Sequence, residues 1–284
     1  MILDRNENKP VIVLLGAGSM GTAIVRRIAA GKKILLGDIS EQALERVSKE
    51  FQYSGYDVVT HVVDACDPVS LKEFALKAAS LGDVMYYIHT AGASPSQASP
   101  EHIVRLDLIG TAYAIDAFGE VMASGGAGLI VASQTGYMPS ALTAEDETAL
   151  AMTPTEELAA LPCLNGEKTP NPGAAYIVSK RANQLRVRTA AATSWGDRGA
   201  RINTISPGII VTPLAYDEFN APGNTYQNML DTSPARRAGT ADEIAAAGAF
   251  LLGPDASFIT GTDLLIDGGV IAALNSGRFN LRVR

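Results

Sequence analysis

Tyr176 and Lys180 stand four residues apart in Tyr176-Ile177-Val178-Ser179-Lys180, a spacing that projects a phenol and an amine from one face of a helix. An ammonium beside a phenol favours the phenolate, drawing its pKa down from about 10 toward the range where it exchanges protons with a substrate. The same spacing occurs in many helices as a solvated pair, so its meaning depends on what the chain sets around it. Upstream, the apolar run 128–132 ends at Ser133, with Gly136 three residues later. A hydroxyl beyond a strand end can donate to a carbonyl or accept from an alcohol. Alone, Ser133 would be a turn residue; with Tyr176 and Lys180 it completes a set for moving a proton to or from a substrate oxygen.

The elements that must position this set begin with the β-branched apolar run 11–15, a pattern expected of a parallel strand covered on both faces. It leads into Gly16-Ala17-Gly18-Ser19-Met20-Gly21 and a helix expected over 22–30. Strand, Gly-x-Gly-x-x-Gly, helix is the order that lets backbone approach a pyrophosphate at a helix N-terminus. The second strand, 33–37, ends at Asp38, followed by Ile39 and 22 positions after Gly16. That is where a carboxylate would accept from the adenosine ribose hydroxyls and repel a 2′-phosphate. No Arg or Lys stands beside Asp38 or in the glycine loop, so NAD is expected over NADP. Asp38 as a plain helix cap is the alternative, though Ser40 can fill that place.

A helix over 40–52, a strand over 58–63 ending at Asp64-Ala65-Cys66, a helix over 69–81 and a strand over 84–89 continue the alternation. The expected fold is α/β: a doubly wound (Rossmann) parallel sheet of about seven strands with helices on both faces, in a single domain. Ligands in such sheets sit beyond the strand C-termini. Asp64 and His89-Thr90-Ala91-Gly92 fall at that edge, where the small Ala91 and Gly92 would let a flat ring approach backbone. A helix over 174–195 carries the Tyr-Lys pair, followed by a strand over 201–205, a helix over 241–252 and a last strand with its flanks over 259–269.

The chain has 284 residues, of which 47% are hydrophobic and 19% charged, and a net charge of −7. This composition excludes a disordered or coiled-coil chain, and an acidic protein without a Lys/Arg cluster is a poor partner for nucleic acid or an anionic membrane. The apolar run 11–16 is far shorter than the roughly 20 residues of a membrane span, and the N-terminus carries no secretory pattern, so a cytoplasmic protein is expected. Cys66, Cys163, His61, His89 and His102 show no metal-ligand or disulfide spacing; no metal is expected, and structural roles are assigned to all five.

Over roughly residues 10–270 these motifs resemble the short-chain dehydrogenase/reductase family. The resemblance rests on the glycine loop, Asp64, Ala91-Gly92, Ser133, Tyr176, Lys180 and Ser206-Pro207-Gly208-Ile209-Ile210-Val211-Thr212-Pro213. It implies hydride transfer between NAD and a secondary alcohol or ketone. Tyr176 would be the acid/base, Lys180 would lower its pKa and bind the ribose, and Ser133 would hold the substrate oxygen. It also implies that Gly16, Gly18, Ser19, Met20, Gly21, Asp38, Ile39, Asp64, Ala65, Ala91, Gly92, Pro207, Gly208, Ile210 and Thr212 contact the cofactor, and that the chain forms a homotetramer or dimer. Two departures stand out. Gly16–Gly21 is closer to the loop of hydroxyacid dehydrogenases, and Asp107 replaces the family's usual Asn, which holds a proton-relay water; Asp107 is carried as a catalytic candidate that can still accept from water.

Forty-three positions separate Ser133 from Tyr176, more than the family commonly has. The surplus, 137–173, is acidic and leucine-bearing and is expected to form one or two short helices, with Thr143 and Thr153 or Thr155 as caps, over or beside the active site, with an oligomer-interface or surface elaboration as the alternative. Together with a lid over 214–233, in which Tyr216, Phe219, Tyr226 and Met229 are candidate contacts, it would wall the pocket for a bulky apolar alcohol such as a steroid or bile acid. The tail 270–284 could cross to a neighbouring subunit. Two other readings compete: an idle NAD-binding sensor or scaffold, and a sugar-nucleotide epimerase or dehydratase, although the chain lacks the larger C-terminal region such enzymes add.

Overall fold

The computed structural model describes residues 9–213, 215 and 225–278. The apolar run Val11–Leu15 (β1) is buried along its whole length. It pairs in parallel with Lys33–Asp38 (β2) on one side and, beyond Asp57–Val62 (β3), with Val84–His89 (β4) on the other. Met122–Val131 (β5) and Arg201–Pro207 (β6) follow. Ile210–Val211 (β7) and Gly239–Thr240 (β8) form a separate small ladder, and Asp263–Ile266 (β9) closes the far edge. The main sheet has seven strands, all parallel, in the order β3-β2-β1-β4-β5-β6-β9. Strand order reverses between β1 and β4, which opens a crevice at their C-terminal ends.

Alternation along β1 divides the core between the two faces. Val11, Val13 and Leu15 pack with Leu71 and Phe74 of Pro68–Leu81 (α3) and with Trp195, while Ile12 and Leu14 pack with Ile24 of Ser19–Ile28 (α1) and Phe51 of Glu41–Tyr53 (α2). Helix Ala241–Leu252 completes the second layer through Ile244 and Leu251. Helix α1 starts three residues before the expected position, because Ser19, Met20 and Gly21 already form its first turn.

Between residues 92 and 128, where the sequence reading placed no element, a continuous helical rod runs through Pro100–Ile103 (α4), a π-helical stretch Val104–Gly110 and Thr111–Gly119 (α5). It lies against Pro172–Ala192 (α7). The surplus segment folds as Ala144–Met152 (α6), opened by a capping box between Thr143 and Asp146, and two 3₁₀ turns, Thr155–Ala160 and Pro162–Leu164. Its Leu150, Leu158 and Cys163 are buried among Ile103, Val104, Leu108 and Ala112 of the rod and Ala175, Val178 and Ala182 of α7. No described helix is long and apolar enough to cross a membrane.

Candidate active site

Two cavities meet at the crevice. The larger, about 820 Å³, is lined by Gly16, Gly18, Ser19, Met20, Asp38, Ile39, Asp64, Ala65, Ala91, Gly92 and Thr212, among others. The smaller is lined by Ser133, Tyr176, Pro207, Gly208, Ile209, Ile210, Pro95, Ala215 and Tyr226, and it shares Met20 and Thr212 with the larger. Gly21, Lys180 and Asp107 line neither cavity and sit behind these walls. No residue of 137–173 lines either one, so the segment docks on the rod and α7 instead of forming the pocket wall expected of it. Of the expected lid, Ala215 and Tyr226 reach the smaller cavity and Met229 is buried beside Met138 and Ile271. Tyr216 and Phe219 lie outside the described residues.

The glycine loop is shaped by close approach. Gly16 has φ +95°, and a Cβ there would lie 2.5 Å from the Ala91 nitrogen. A Cβ on Gly18 would meet nothing within 4 Å. Gly18 is also the N-cap of α1, and no side chain caps the helix there, so the first-turn amides face the crevice without a built-in acceptor. That cradle fits an anionic pyrophosphate. Gly16→Ala is therefore expected to destabilise the fold by about 1–3 kcal/mol through overpacking and a left-handed backbone. Gly18→Val should leave the melting temperature of the ligand-free protein unchanged and weaken dinucleotide binding about tenfold or more, or roughly 1.4 kcal/mol; calorimetry and a binding titration on the two variants check this.

Asp38 ends β2 with its carboxylate accepting the Ala17 N–H at 2.8 Å and the Ser40 N–H at 2.9 Å. The cap of α2 is Ser40, whose hydroxyl accepts from Ala43, so Asp38 is held toward the crevice without serving as a helix cap. Arg46, one side of α2 further on, lines the same cavity, as do Cys66, His102 and Arg105. Sequence reasoning missed these four: Arg46 is eight positions from Asp38, and His102 and Arg105 belong to the rod left unassigned.

Ser133 lies just past β5, nearly buried, its hydroxyl accepting the Thr135 N–H at 3.2 Å as a short 3₁₀ turn begins. On α7 the Lys180 Nζ lies 5.1 Å from the centroid of the Tyr176 ring. On its other side Lys180 forms a buried ion pair with Asp107 at 3.0 Å. Burial alone would pull the ammonium down, but Asp107 first and Tyr176 next outweigh it, and the Lys180 pKa ends above its ordinary value. The Asp107 carboxylate, read from the sequence as one that can still accept from water, pairs with Lys180 and accepts the Ala93 N–H at 2.8 Å, while its main-chain carbonyl accepts from Thr111 Oγ1 and Asn183 Nδ2, each at 2.9 Å.

The Thr111 hydroxyl donates to that carbonyl, which assigns His89 Nε2–H as donor to Thr111 at 3.1 Å and leaves Nδ1 to accept from the Tyr87 hydroxyl at 2.8 Å. Burial, and then the charge of Lys180, lowers the His89 pKa to about 3, so the imidazole is neutral in this network.

Residues 147–271 match the family model described as enoyl-(acyl carrier protein) reductase. A short-chain dehydrogenase/reductase of Alternaria brassicicola is 38% identical over 94% of this chain and 98% of its own length. A galactitol 2-dehydrogenase (L-tagatose-forming) of Cereibacter sphaeroides is 30% identical over 89% and 92%. Among solved structures, BdcA in complex with NADPH superposes with a TM-score of 0.67 at 26% identity, covering 92% of this chain and 93% of that one. With its seven-stranded parallel sheet, its glycine cradle and relatives matched along nearly their whole length, the chain belongs to the short-chain dehydrogenase/reductase family.

Proposed function

We propose that this oxidoreductase interconverts a secondary alcohol and its ketone with NAD, and that the substrate is a bulky apolar molecule such as a steroid or bile acid. The observation that carries the reading is that Ser133 and Tyr176 line one cavity, which joins the glycine-loop cleft through Met20 and Thr212. A nicotinamide dinucleotide, when bound, supplies a site that takes or gives a hydride. Gly16, Gly18, Ser19 and Met20 would hold its pyrophosphate, Asp38 and Ile39 the adenosine ribose, Asp64 and Ala65 the adenine, and Ala91, Gly92, Pro207, Gly208, Ile210 and Thr212 the nicotinamide half.

The chain's own residues carry the proton. The Ser133 hydroxyl positions the substrate oxygen, and the Tyr176 hydroxyl gives or takes its proton. Lys180 keeps a positive charge beside the phenol. Pro95, Ile209, Ile210 and Ala215 give the substrate cavity an apolar lining, which supports the apolar substrate class. The carboxylate of Asp38 at the ribose end supports NAD, because it would repel a 2′-phosphate.

The test is a panel of hydroxysteroids, a bile acid and galactitol, each offered with NAD and with NADP and followed by the absorbance of the reduced nicotinamide. NAD-dependent oxidation of the apolar alcohols ahead of galactitol is the expected result. Cofactor binding without turnover of any alcohol would favour an idle binding protein, and a preference for NADP would transfer the ribose-end role to Arg46.

A further inference from the structure

We propose that Asp107 is a positioning residue that holds the site in its acid form, with Lys180 charged and Tyr176 protonated, so that at neutral pH the enzyme is set to reduce a carbonyl. The proposal rests on the reading of Tyr176 as the acid/base group. An ammonium facing a phenol with no counter-charge stabilises the phenolate. Here a fully buried carboxylate sits 3.0 Å from that ammonium, and at the phenol the two opposite charges largely cancel.

The carboxylate cannot swing away without loss. One of its oxygens accepts the Ala93 N–H, and the backbone it hangs from is pinned through the Asp107 carbonyl by Thr111 and Asn183. Gly92 lies so close that a Cβ there would be 3.2 Å from Oδ2. The other titratable groups around the pair do not replace its charge. His89 on β4 is neutral, and Cys66, after β3, has its thiol pKa raised by burial and then by Asp64. Arg105 of the rod lines the dinucleotide cleft and Tyr226 the substrate cavity.

In the reductive direction a reduced dinucleotide, when bound, would supply the hydride pair that forms the new C–H bond at the carbonyl carbon. The electrons of the C=O π bond capture the Tyr176 proton, which gives the alcohol and leaves a phenolate beside Lys180. A solvent proton restores the phenol. A site that rests as phenol and ammonium is ready for this step, and the oxidation of an alcohol has to wait for alkaline pH.

The experiment is an ultraviolet titration of tyrosinate on the full-length protein, with the Tyr176 signal isolated by subtracting the matching Tyr176→Phe protein, in the wild type and in Asp107→Asn. Asn keeps an oxygen for the Ala93 N–H and removes only the charge. The expected wild-type midpoint lies above about pH 8, and the Asp107→Asn midpoint lies lower by about one unit or more, as removal of a nearby like charge produces. An unchanged or higher midpoint in Asp107→Asn overturns the proposal. If that variant does not fold, the wild-type midpoint decides alone, and a value below about pH 8 overturns it. Neither arm needs turnover. A chain that oxidised and reduced nothing would sink the oxidoreductase reading without touching this titration, and a failed titration in an active enzyme would sink only the role given to Asp107.

Discussion

Tyr176→Phe is expected to lower turnover in both directions by about 10²–10⁴-fold, the usual contribution of general acid–base catalysis, while dinucleotide binding stays nearly intact. The phenol hydroxyl is the group in the substrate cavity given the proton to move, and Phe keeps the ring and removes only that oxygen. The ring packs against the cluster shared by the rod, α6 and α7, so the variant retains its packing. The cofactor cleft is built mainly from the glycine loop, Asp38 and Ala91-Gly92, none of which the substitution touches. Steady-state kinetics together with a cofactor titration check it. A variant keeping more than about a tenth of wild-type turnover would remove Tyr176 from the acid/base role.

Arg186→Met is expected to cost about 3 kcal/mol of stability. The Arg186 guanidinium is nearly buried on α7 and donates to the Leu150 carbonyl at 3.1 Å, the Thr153 carbonyl at 2.9 Å and Thr155 Oγ1 at 2.7 Å. The Thr155 hydroxyl in turn donates to the Asp116 carboxylate on α5 at 2.5 Å. Burial lowers the Arg186 pKa, an effect Asp116 partly offsets, and burial raises that of Asp116. Met fills a comparable volume but leaves three buried acceptors without their donor and one carboxylate without its cation, each loss worth about 1–3 kcal/mol before relaxation. The segment 144–164 should become the first site of proteolysis, ahead of global unfolding. Because this segment lines neither cavity, the KM of the surviving fold should hold. A KM that rises in proportion to the loss of stability would return the segment to the pocket wall.

Legibility in the sequence followed the range of the physics involved. The glycine loop, Asp38 at the end of β2, and the Tyr176-Lys180 spacing are local patterns in which a few bonds of chain determine the geometry, and the structure sets Asp38, Ser133 and Tyr176 along two adjoining cavities. Arg46 is eight positions from Asp38, too far for a local pattern to pair them, and only the course of α2 brings it back to the same cleft. The rod through residues 100–119 was not legible because its halves are joined by a π-helical stretch, which interrupts the ordinary helical period. With it went His102 and Arg105.

By itself the sequence determined the class of fold, the crevice where ligands gather, and a phenol, an amine and a hydroxyl suited to moving one proton. Strand period, helix period and turn chemistry are short-range rules that a linear string carries. Only the tertiary structure decided that the surplus segment buries Leu150, Leu158 and Cys163 on the rod and α7, away from the pocket. It also decided that Asp107 meets Lys180 at 3.0 Å. The positions 107 and 180 belong to different helices, and their contact depends on how the rod packs against α7, which no local pattern encodes. In the buried, low-dielectric space between those helices the Asp107 carboxylate is paired with the ammonium that lies over the Tyr176 ring.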